Sequence, residues 1–149
     1  MVTTVGTASD VVDMLNDLIQ LDYDAIQAYE AAINRIDNSE HQRQLQAFRD
    51  DHERHTEELG RIVSELGAEP ATSASMKQVL TVGKVALADM MGDRAVLQAM
   101  KTNEDDTNTA YERAAGRSDL PPSAVPVIQA ALGDERRHRD WIEKTIATS

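Results

Sequence analysis

Residues 45–66 read LQAFRDDHERHTEELGRIVSEL. Stepped at alternating intervals of three and four, this stretch places Leu45, Phe48, Leu59, Ile62 and Leu66 on one face, the spacing of an amphipathic helix. His52 and His55 interrupt that face midway. Three other stretches repeat the construction: Leu15, Leu18, Asp22, Ala25, Tyr29, Ala32, Ile36; Leu97, Met100, Glu104, Thr107, Tyr111, Ala114; and Ile128, Ala131, Glu135, His138, Ile142, Thr145. Each seam is apolar at both ends and ionisable in the middle.

Helix breakers cluster between these seams. Gly67 and Pro70 with Ala71-Thr72-Ser73 mark one loop, Gly116 to Pro122 another, and Asp37-Asn38-Ser39 a short polar turn. Ala, Leu, Gln, Glu, Asp and Arg dominate elsewhere, and β-branched or aromatic runs are absent. The reading is four helices: A over about 10–37, B over 39–66, C over 75–115 with Gly92 as a candidate break, and D over 123–146. Ser9, Ser39, Ser75 and Ser123 are the expected N-caps. Four long helices predict an all-α, antiparallel four-helix bundle over 10–146, with a long crossover between B and C and a flexible N-terminus over 1–9.

Composition narrows the function. The chain has 149 residues, a formal net charge of −11 and no Cys. The acidic balance argues against nucleic acid or an anionic membrane as partner. Without Cys there are no disulfides, thiolate zinc sites or iron–sulfur clusters. No apolar run approaches the ~20 residues of a membrane span, and residues 1–9 lack the pattern of a signal peptide, so a cytoplasmic protein is expected.

The two halves of the chain echo each other. Asp22-x-x-Ala25-x-x-x-Tyr29-Glu30 matches Glu104-x-x-Thr107-x-x-x-Tyr111-Glu112, and His52-x-x-His55 matches Glu135-x-x-His138. An antiparallel hairpin brings Asp22 level with His52, and Glu104 level with Glu135. Two such hairpins face to face put all six ionisable side chains in one layer. Three carboxylates in a core repel one another, and each loses its hydration. With three neutral imidazoles they carry a charge of −3, which suits two divalent metals and a bridging hydroxide.

The pattern resembles the ferritin-like superfamily of di-metal carboxylate bundles, which includes rubrerythrins and bacterioferritins. The residues that match are Asp22-x-x-Ala25-x-x-x-Tyr29, His55, Glu104 and Glu135-x-x-His138, and the likeness spans roughly 10–146. The resemblance implies terminal ligands at Asp22 and Glu104, a bridging Glu135, and one imidazole per metal from His55 and His138. It also implies that Tyr29 reaches across to Glu104 and Tyr111 to Asp22. The expected cofactor is a pair of divalent ions, iron first, with manganese or zinc as alternatives. The expected activity is ferroxidase or peroxide scavenging, with O2 or peroxide as oxidant, an external electron donor, and a homodimer as one assembly.

Two departures stand out. His52 occupies the position of a bridging Glu, and Asp22 is shorter than the usual ligand. They support a second reading: a non-catalytic stress or binding protein with one structural zinc or manganese. Asp51 and Glu53 flank His52 but lie about 100° off the seam, too far to replace a ligand. His41 falls ~16 Å from His52 along the helix and is expected to be solvated. Glu30 and Glu112 are read as rim charges, Trp141 as packing near the site, and the run Asp50-Asp51 as a solvated face.

Overall fold

The computed structural model describes residues 3–73 and 92–148. Four helices account for most of them: α1 (Val11–Ile33), α2 (Ser39–Glu65), α3 (Asp93–Ala115) and α4 (Ala124–Thr148). The closest packing is within the pairs α1/α2 and α3/α4, and α1/α3 and α2/α4 close the square. Among the described residues there is no strand, and no helix is long and apolar enough to cross a membrane.

Cross-helix contacts fix the directions. Tyr29 meets Glu104 while Tyr111 meets Asp22, so α1 and α3 run antiparallel. His138 meets Asp51 while His55 meets Asp134, so α2 and α4 are antiparallel too. With α1 and α2 joined by a short turn, α2 and α3 must then run the same way. The end of α2 and the start of α3 therefore lie at opposite ends of the bundle. The course of the chain expected to cross between them over 74–91 lies outside the described residues.

Boundaries moved by small amounts for local reasons. The N-cap of α1 is Asp10, whose Oδ1 accepts from the Asp13 amide at 3.0 Å, not Ser9. The N-cap of α2 is Asn38, accepting from the Glu40 and His41 amides, not Ser39. In both cases a short planar side chain with extended backbone beside the serine takes the cap, one residue after Ser9 at Asp10 and one residue before Ser39 at Asn38. Helix α1 stops at Ile33, and Gln42 donates to the freed carbonyls of Ile33 and Ile36. The described part of helix C begins at Asp93, after Gly92 at φ +85°. Its expected course over 75–91, with Ser75 as cap, lies outside the described residues. Leu66 falls past the end of α2 and is 41 % exposed, so the α2 seam closes at Ile62.

Residues 3–9, expected to lie loose, rest on the end of α3. Val5 is 4 % exposed, Arg113 donates to the carbonyls of Thr3 and Val5, and Arg117 to those of Ala8 and Ser9. Gly6 makes this approach feasible: it sits at φ +94°, and a Cβ there would stand 2.8 Å from Arg113 Cβ.

The core is aliphatic at both ends of the bundle. Leu15, Leu18, Leu45, Leu59, Leu97, Met100, Ile128 and Ile142 are all buried. Water is thereby kept from the polar layer between them.

Candidate metal centre

The midpoints of all four helices meet in one layer. Helix α1 contributes Asp22 and Tyr29, α2 His52 and His55, α3 Glu104 and Tyr111, and α4 Glu135 and His138; none is more than 3 % exposed. The seam period of the helices puts these residues inward, and the equal hairpin spacing levels them. All six candidate ligands come together.

They form two overlapping donor sets. Asp22, His52, His55 and Glu135 make one; His52, Glu104, Glu135 and His138 make the other. In each set the donor atoms lie within 4.8 Å of one another, and His52 and Glu135 belong to both. Both tyrosines cross as the resemblance implied: the Tyr29 hydroxyl donates to Glu104 Oε1, and the Tyr111 hydroxyl to Asp22 Oδ2. Thr107 Oγ1 donates to Glu104 Oε2 at 3.0 Å. Asn108 bridges the Glu104 and Glu135 carbonyls, fixing α3 against α4 at this level.

An outer ring of charge holds the imidazoles. His138 Nε2 donates to Asp51 Oδ2 at 2.8 Å, and His55 Nε2 donates to Asp134 Oδ2 at 2.9 Å. Each bond leaves Nδ1 facing the interior, the tautomer a metal ligand requires. Arg54 and Arg137 each pair with both aspartates, so four side chains close a crossed ring between α2 and α4. Asp51 is thus not part of a solvated acidic face; it serves the opposite helix. The sequence does carry a sign of it. Asp51-His52-Glu53-Arg54-His55 and Asp134-Glu135-Arg136-Arg137-His138 share Asp-x-x-Arg-His in both halves.

Glu30 is a rim charge paired with Arg49, and Glu112 lies 4.0 Å from Arg136. Trp141 packs beside the site, edge-on to Phe48, whose ring lies 4.2 Å from that of His138 between centroids. His41, expected in solvent, is half-buried because Trp141 reaches across to its ring. It is no part of either donor set.

The layer's electrostatics follow from burial opposed by pairing. Burial pushes the Asp22 carboxyl up, but His55 and His52 outweigh it and leave it below the ordinary value. Glu104 falls well below, because His138 and His52 more than offset its burial. Glu135 goes the other way: burial, joined by the Glu104 charge, raises it against three opposing histidines. Burial disfavours the His52 cation, yet Glu135, Asp22 and Glu104 raise its pKa to about 10.

Four buried atoms of the candidate ligands have no hydrogen-bond partner: His52 Nε2, His138 Nδ1 and both carboxylate oxygens of Glu135. Their separations are informative. His52 Nε2 and His138 Nδ1 each lie 3.5 Å from Glu104 Oε1, and Glu135 Oε1 lies 3.5 Å from His52 Nδ1 and 3.4 Å from His55 Nδ1. That is long for a hydrogen bond. Donors at 2.0–2.2 Å from a shared tetrahedral ion stand about 3.3–3.6 Å apart. The residues present fit a metal, by spacing and by donor chemistry.

Fold and site together define an all-α four-helix bundle with a buried carboxylate–imidazole layer able to hold metal. The chain belongs to the family described as Domain of unknown function (DUF2383), which matches it over residues 10–116. That stretch contains Asp22, His52, His55 and Glu104 and ends before α4, the source of Glu135 and His138. No curated protein matches the chain.

Proposed function

We propose that the layer is a dinuclear metal centre, iron first, in a ferritin-like protein that reacts with O2 or peroxide. The observation that carries this reading is the convergence of four partnerless buried donor atoms at ligand spacing. Asp22, His55 and Glu135 would hold one ion, and Glu104, His138 and Glu135 the other, with His52 between them. A bound ferrous pair would supply electrons for reducing the oxidant. The chain's own part is positional: Tyr29 and Tyr111 steady the two terminal carboxylates, Asp51 and Asp134 orient the imidazoles, and the aliphatic ends exclude water. With no Cys in the chain, re-reduction would call on a separate electron donor.

Metal analysis of the purified protein tests this, as isolated and after anaerobic Fe(II) loading, beside His138→Ala. Two irons per chain, lost in the variant, are expected. One zinc or manganese per chain would favour the alternative, a structural mononuclear site in a binding or stress protein. His52 is what favours that alternative, since its Nδ1 is already bonded to Asp22 at 2.7 Å. No metal in either preparation overturns both.

Asp51→Asn separates orientation from ligation. The variant keeps every ligand but loses the carboxylate behind His138, and metal affinity is expected to fall ~10–100-fold. Competition titration against a chelator reads this directly; unchanged affinity would mean the outer ring only holds helices together.

A further inference from the structure

We infer that His52 is the bridge of the centre: it binds both ions, one through each ring nitrogen, as an imidazolate. The inference rests on the metal reading above and asks what the third imidazole does within it. His55 and His138 each commit Nε2 to an aspartate and keep only Nδ1 for the interior. His52 has no such outer carboxylate. Its Nδ1 faces the Asp22 set, at 2.7 Å from Asp22 Oδ1 and 3.5 Å from Glu135 Oε1. Its Nε2, buried and partnerless, faces the Glu104 set. The ring also lies midway between the two terminal imidazoles, with centroids 5.5 Å from His55 and 5.3 Å from His138. A ring placed to serve one ion would sit nearer one of them.

Charge supports the same assignment. Asp22, Glu104 and Glu135 supply three negative charges; an imidazolate makes four and neutralises two divalent ions in a buried site. The step balances simply. Metal-free His52 is protonated and carries two N–H bonds; both break as the ions bind, each electron pair becomes a ligand pair, and the two protons leave to solvent. No oxidant or reductant takes part. Nitrogen donation to both ions also brings the centre toward zinc and copper as well as iron, since imidazole suits all three.

Copper(II) is the probe, because two copper spins joined by an imidazolate couple and lose paramagnetic intensity at low temperature. Apo-protein loaded with two equivalents should bind both and show much less spin intensity than its copper content. His52→Gln should recover full intensity for the copper it binds, with affinity for both ions reduced by a similar factor, larger than the ~10–100-fold that loss of an outer partner costs. His52→Ala, checked for helicity by circular dichroism, serves if the Gln variant does not fold. Uncoupled spins in the wild type overturn the bridge. So does a variant that binds two coppers with undiminished coupling, which would assign the bridge to Glu135 or a hydroxide. Loss of a single copper with the other held as tightly as before also overturns it, since His52 would then serve one ion. No copper bound by the wild type would instead remove the metal reading on which the bridge depends.

Discussion

Glu135→Gln should lose both metal ions, and with them all of the stability that added metal gives. Glu135 belongs to both donor sets, so one substitution reaches both ions, whereas the other carboxylates each belong to one. The amide keeps the shape and removes the charge. In the apo-protein burial and the Glu104 charge disfavour the carboxylate, but His52, His55 and His138 favour it and it in turn favours the His52 cation, so the amide also lowers metal-free stability. Removing one partner of a buried charge set is destabilising, so the variant's own metal-free form is its baseline. A change in the aliphatic ends behaves differently, because Leu18→Ala costs about 2–5 kcal/mol through its cavity whether or not metal is bound.

The contrast appears in thermal unfolding with and without added metal. For the wild type, each ion at a hundred times its dissociation constant adds about 2.7 kcal/mol. For Glu135→Gln the metal-dependent increment should vanish, read against the variant's own metal-free curve. A variant that keeps the increment would show that Glu135 is not a shared ligand.

The parts of this design that repeat with a helical period were legible in the sequence. Asp22, His52, His55, Glu104, Glu135 and His138 fall in phase with their apolar neighbours, so a linear pattern already puts them on the buried side. The level at which they meet follows from hairpin spacing. Asp51 and Asp134 were harder, since they lie off the seams and their burial depends on where α2 meets α4. Off-seam acids usually face water; these are held by histidines and arginines of the partner helix. Val5 was missed for a related reason. A single apolar residue in MVTTV has no period, and only the end of α3 with Arg113 gives it a place. The caps were displaced because Asp10 and Asn38 stand beside serines of similar capping ability, and backbone conformation decides between such neighbours.

Metal-free protein should be most stable in mildly acid solution and lose stability steadily as pH rises, while metal-loaded protein should not. The cause is that, without metal, protons serve the layer's carboxylates. Carboxylates raise His52 to about 10, and those around His55 and His138 raise them as well, each against the effect of burial. A histidine raised on folding lends stability that is complete below its unfolded value, about 6.5, and disappears as pH climbs through the folded value. Glu135, also raised, acts in the same sense from lower pH. Asp22, Glu104, Asp51 and Asp134 have the opposite sign, being lowered by the histidines beside them against their own burial. Their contribution is present above about pH 4 and fails only as pH falls through the lowered values. The apo optimum therefore lies between about pH 4 and 6.5, and above it each raised histidine gives a slope of up to about 1.4 kcal/mol per pH unit. Metal reverses the trend, because ligation needs the deprotonated imidazoles that rising pH provides. Unfolding temperatures of the two forms should thus diverge from pH 6.5 to 9.5, the apo curve descending and the loaded curve level or rising. Parallel curves would mean that metal and protons do not compete for this layer, and the assignment of His55 and His138 as ligands would fall with them.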